Sequence, residues 1–76
     1  MPLPNAEWER FLDVTVRART LAQRGSLAEG YRALQDGLAD AERARADAEP
    51  WAEELSGLYR HALKQYAARY GAGLAG

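Results

Sequence analysis

Three apolar stripes at helical spacing, separated by two strong turn signals, predict an all-α domain. The expected architecture is a three-helix bundle running up, down and up, with helices at roughly residues 5–24, 26–47 and 50–70. The two breaks are Arg24-Gly25-Ser26 and Asp47-Ala48-Glu49-Pro50. Similar helix lengths and short connections favour antiparallel neighbours. Residues 1–71 read as one domain and 72–76 as a frayed tail.

The first helix follows Pro2 and Pro4, with Asn5 as the expected N-cap and Glu7 and Glu9 favourably placed near the positive helix end. At about 100° per residue, Trp8, Phe11, Leu12, Thr15, Ala18 and Ala22 share one face, flanked by Val14 and Leu21. Arg10, Asp13, Arg17 and Arg24 fall opposite. Gly25 is the expected left-handed stop.

Ser26 and Glu29 fit a capping box, in which each side chain satisfies a free backbone N–H of the second helix. Leu27, Tyr31, Leu34, Leu38 and Ala41 form its stripe. Gly30 and Gly37 lie beside that stripe, and each costs about 1 kcal/mol against alanine in a helix. Close approach of a neighbouring helix would offset that loss. From Ala39 to Ala48 every apolar residue is alanine.

Pro50 belongs in a first helical turn and restarts the chain. Trp51, Leu55, Leu58, Ala62 and Tyr66 then line one face, with Tyr59, Leu63 and Tyr70 on its flank and Gly71 at its end. In an up-down-up arrangement Trp8 and Trp51 meet the alanine-rich end of the second helix, large against small. At the other end Tyr66 and Tyr70 join Leu27, Tyr31 and Leu34.

Ala6-Glu7-Trp8 and Ala48-Glu49-Pro50-Trp51 open the first and third helices. A helix–Gly–helix–helix plan with Trp at each odd helix resembles a tetratricopeptide hairpin followed by a third helix, over about residues 6–66. The sequence departs from that pattern where Leu12 and Leu55 stand at positions expected to be small. The resemblance implies peptide or partner binding in a concave groove, and it carries over no individual groove residue.

Composition narrows the function classes. The chain has 76 residues, 10 basic and 11 acidic, for a formal net charge of −1, and no cysteine. Disulfides and thiolate metal sites are excluded, and no long-range field draws in nucleic acid or anionic lipid. Nine of the ten basic residues are arginine, which reads as a coding bias. No segment is long and apolar enough to span a membrane. Met1 to Asn5 lacks the basic start and apolar run of a signal peptide, so the expected location is the cytoplasm.

No catalytic, cofactor or metal residue is expected. His61 is the only histidine, and its i±3 and i±4 neighbours Leu58, Lys64, Gly57 and Gln65 cannot complete a metal site. Asp36 and Asp40 sit on the polar side near Arg32 and Arg43, and Glu29–Arg32 and Glu42–Arg45 have the spacing of solvated intrahelical pairs. Arg10, Arg17 and Arg24 form a stripe that suits phosphates, an acidic protein or plain solvent, but Asp13 interrupts it.

The third helix carries an apolar excess. Its arc spans roughly half the circumference, where a bundle needs a little over 100°. Either helices 1 and 2 share this wide face, or Tyr59, Leu63, Tyr66, Ala67 and Tyr70 form an interface, for which tyrosine is well suited. The favoured expectation is a non-enzymatic interaction or assembly module that self-associates through this helix. The alternative is a small nucleic-acid-associated regulator using Arg10, Arg17 and Arg24. The expected partner is protein, either a second copy or another chain; nucleic acid is disfavoured and no membrane is involved. Trp8, Trp51, Gly30, Gly37, Ser26 and Glu29 are expected to be structural.

Overall fold

The computed structural model describes the backbone of residues 3–75 and the side chains of residues 3–71. Three helices form, α1 (Asn5–Gln23), α2 (Leu27–Ala46) and α3 (Ala52–Ala75), running up, down and up, with no strand among the described residues. Both α1 and α3 lie chiefly against α2 and touch each other less.

Each connection is set by backbone hydrogen bonds more than by side-chain caps. At the end of α1, Gly25 takes a φ of 87°. Its N–H donates to the Ala22 carbonyl at 3.0 Å, and the Ser26 N–H donates to the Leu21 carbonyl at 2.8 Å. This is the Schellman pattern, and it satisfies two carbonyls that α1 would otherwise leave free. It also consumes the Ser26 N–H, the donor that Glu29 needed. Ser26 is therefore the N-cap residue of α2 by position, but the expected capping box with Glu29 does not form, and Ser26 makes no side-chain cap bond. At the start of α1 the half-in residue is Pro4, not Asn5. The Pro4 carbonyl accepts from Glu7 and Trp8 N–H groups at 3.1 and 3.0 Å.

The same Schellman pattern recurs after α2 without a glycine. Ala48 has a φ of 62°. Its N–H donates to the Arg45 carbonyl at 3.0 Å, and Glu49 N–H donates to the Ala44 carbonyl at 3.1 Å. An L-residue in this left-handed region costs roughly 1–2 kcal/mol. Pro50 and Trp51 lie in the turn that precedes α3. The helix then runs through Gly71 to Ala75, so Gly71 does not stop it. Its φ is not positive, so it does not take the left-handed conformation that ends a helix. Gly76 lies outside the described residues.

The core combines Phe11, Ala18 and Ala22 of α1, Leu34 and Ala41 of α2, and Ala52, Leu55, Tyr59 and Tyr66 of α3. Its organising feature is a double notch. A Cβ on Gly37 would lie 2.5 Å from Tyr59 Cζ and 2.9 Å from its Oη. A Cβ on Gly30 would run into Tyr66 Oη and lie 2.8 Å from the Ala18 carbonyl oxygen. Gly30 and Gly37 are seven residues apart on α2, as Tyr59 and Tyr66 are on α3, and they pair in antiparallel order. The expected close approach is thus real, and its occupants are tyrosine rings from one side and the α1 backbone from the other.

That close α1–α2 contact decides which face of α1 turns inward. Where Ala18 lies against the α2 backbone only small side chains fit, so Ala18 and Ala22 are buried. Trp8 and Leu12 rotate outward. Trp8 is therefore not the buried structural residue expected; it stacks on Phe11 with ring centroids 5.7 Å apart. Trp51 is half-buried and packs against the core without it.

Candidate interaction surface

The five α3 residues expected to form an interface separate into two groups. Tyr59 is only 2% exposed and Tyr66 only 6%. Tyr59 sits in the Gly37 notch and meets Phe11 edge-on, with centroids 4.9 Å apart and planes at 79°. Tyr66 fills the Gly30 notch, and its hydroxyl donates to the Leu27 carbonyl at 2.7 Å, tying α3 to the start of α2. Tyr31 and Tyr70 pack around it at centroid distances of 6.0 and 4.8 Å. Burial raises the pKa of both phenols. For Tyr59 the Arg10 cation opposes that rise and Glu7 adds to it; for Tyr66 the neighbouring Tyr70 adds to it. Leu63, Ala67 and Tyr70 remain half-buried. The wide face of α3 is thus shared between α1 and α2, and Tyr59 and Tyr66 are not available to a partner.

The exposed apolar surface lies on α1 instead. Trp8 and Leu12 are each 42% exposed and Val16 is 56% exposed. They stand at i, i+4 and i+8, one line along the helix. The sequence carried this signal, because Val16 belongs to no stripe that contains Phe11, Ala18 and Ala22.

Beside that line, α1 and α3 enclose a groove of about 340 Å³. Phe11, Ala18, Leu34, Leu58 and Ala62 give it apolar walls, while Arg19, His61 and Arg69 are its only ionisable groups besides Tyr66 and Tyr70. Arg69 also lies over the Tyr70 ring at 5.8 Å. On the opposite side a larger cleft of about 510 Å³ separates α1 and α2. Here Arg10, Arg17 and Arg32 stand among Glu7, Glu29, Asp36 and Asp40, so an incoming phosphate would meet both signs of charge. Arg24 does not line this cleft.

Compared with known protein families, curated proteins and solved structures, the chain matches none. Among the described residues, no three His, Cys, Asp or Glu side chains gather as a metal site. No helix is long and apolar enough to cross a membrane. Ion pairs are solvated: three lie within one helix, Arg10–Glu7 at 3.8 Å, Arg45–Glu42 at 3.7 Å and Arg43 with Asp40, while Arg60 of α3 reaches Glu42 of α2. The expected Glu29–Arg32 pair is not among them. Exposed pairs of this kind contribute little. Ser56 is fully buried and its Oγ has no hydrogen-bond partner, a point sequence reasoning did not find.

Proposed function

We propose that the protein is a non-enzymatic interaction module that docks protein through the outer face of α1 and the adjoining α1–α3 groove. The observation that carries this reading is the exposed line Trp8, Leu12 and Val16. Large apolar side chains clustered in a line, next to an apolar groove with a polar rim, mark a protein contact surface more than a solvated face. An amphipathic helix laid along such a groove is a recurring mode of recognition. The docking face is α1 and not α3, because the α3 tyrosines are occupied within the chain.

A photo-crosslinking residue placed at Leu12 tests this in cells that express the chain. Covalent adducts to protein are expected from position 12 and not from Ala28, which is exposed on α2. Equal labelling at both positions, or none at position 12 in a folded chain, refutes the reading.

A further inference from the structure

We infer that the occupant of this face is α1 of a second copy of the chain, running antiparallel about a two-fold axis. The inference rests on the interaction reading above and names its partner.

Trp8, Leu12, Thr15 and Arg19 follow one another at intervals of four, three and four, so they lie along one side of α1, with the exposed Val16 beside Leu12 and Thr15. The hydroxyls on this face are already satisfied inside the helix. Thr15 Oγ1 donates to the Leu12 carbonyl at 2.8 Å, and Thr20 Oγ1 donates to the Val16 carbonyl at 3.0 Å. Removing water from the seam therefore strands neither donor.

The seam is also self-complementary. With the two-fold axis beside residues 13 and 14, Leu12 faces the partner's Thr15 and Trp8 faces the partner's Arg19. Each contact is made twice, as a closed two-fold interface requires. Arg19 makes no ion pair among the described residues, and an indole over a guanidinium is favourable when the pair is desolvated. Arg19 also rims the α1–α3 groove, so the paired indole would cover the end of that groove nearest Arg19. A parallel pair would set Arg19 against Arg19 and lose both indole contacts. The Trp8–Arg19 contacts and the Arg19 repulsion thus select the antiparallel copy.

Sedimentation equilibrium of the intact chain gives the first test, with the mass of a dimer expected at concentrations up to about 1 mM. Leu12→Glu should weaken the dimer by on the order of 100-fold, because two buried leucines become carboxylates, while the far-UV circular dichroism stays unchanged. The cysteine-free sequence permits a test of direction. Asn5→Cys and Gln23→Cys chains, mixed and treated with a short bismaleimide, should give the mixed crosslinked dimer. Either variant alone should not, since like positions lie roughly 25 Å apart along antiparallel helices. A monomer at the highest concentration, or efficient crosslinking of Asn5→Cys to itself, overturns the inference. If the chain is monomeric but position 12 crosslinks to a different protein, the second copy is refuted and the interaction reading stands.

Discussion

Replacing Gly37 by alanine should destabilise the protein, against the expectation from helix propensity. In an open helical position Gly→Ala stabilises by about 1 kcal/mol. At Gly37 the new Cβ would lie 2.5 Å from Tyr59 Cζ and 2.9 Å from its hydroxyl, far inside contact distance. The ring cannot retreat freely, because it is 2% exposed and braced by Phe11 at 4.9 Å. Overpacking of this kind costs about 1–3 kcal/mol or more and outweighs the propensity gain. A net loss of about 1–2 kcal/mol is expected, or roughly 5–10 °C in Tm for a domain of this size. Gly57 is the internal control: it lies on α3 with nothing within 4 Å of its added Cβ, so Gly57→Ala should stabilise by about 1 kcal/mol. Tyr59→Leu removes the ring atoms that meet Gly37, and in that background Gly37→Ala should become stabilising. The coupling between the two sites should reach about 2 kcal/mol. Thermal and urea denaturation measure all four chains. If Gly37→Ala raises Tm as Gly57→Ala does, α3 does not seat its tyrosine in the notch.

Ser56→Ala should stabilise the fold by about 1 kcal/mol in urea titration, because it removes a buried hydroxyl without a partner; a loss would show that Oγ is satisfied in solution. Ala48→Gly should stabilise by about 1 kcal/mol, since the left-handed backbone at φ 62° strains alanine more than the added chain freedom of glycine costs; an unchanged or lower Tm refutes the strain. Burial raises the Tyr59 pKa, so the folded state keeps a proton that the unfolded chain releases near pH 10. That stability is fully present below about pH 10 and is lost as pH rises through the folded-state value, and Tyr59→Phe should flatten this alkaline loss in denaturation curves.

The three helices and both connections were legible because period and turn chemistry agreed there. Gly25 fixes a left-handed stop, Pro50 interrupts α geometry before it, and the stripes around Leu34 and Tyr66 repeat at helical spacing. The capping box was not correctly legible, because Ser26 has one N–H and two claimants, and the Schellman bond to Leu21 wins. The tyrosine notches were half legible. Two glycines and two tyrosines share a seven-residue spacing, yet which helix faces the glycines depends on tertiary register. On α1, two apolar stripes overlap, and hydrophobicity alone favours placing the larger residues inside. Backbone proximity at Gly30 decides for the smaller ones.

Packing by size links the core to the proposed surface. A 76-residue chain has little interior, and each position within it is contested by size. Here the interior between α1 and α2 is thin: Gly30 lies against Ala18, and Tyr66 reaches in from α3. The α3 tyrosines occupy the volume that a tryptophan from α1 would need. Trp8 cannot go in, so it comes to rest on Phe11 with Leu12 and Val16 below it in line. The glycine notches that bury the α3 tyrosines are thus what leave α1 with an apolar outer edge. The sequence places an apolar excess on α3, and packing leaves the exposed apolar line on α1, which is where the proposed docking face lies. Filling a notch should therefore act on both properties: Gly37→Ala displaces Tyr59, Tyr59 presses on Phe11, and Phe11 carries Trp8. In a Trp51→Phe background, where Trp8 is the sole indole, Gly37→Ala should shift the emission, while Gly57→Ala leaves it unchanged. If both variants keep the spectrum of that background, core and surface are independent and this chain of contacts does not connect them.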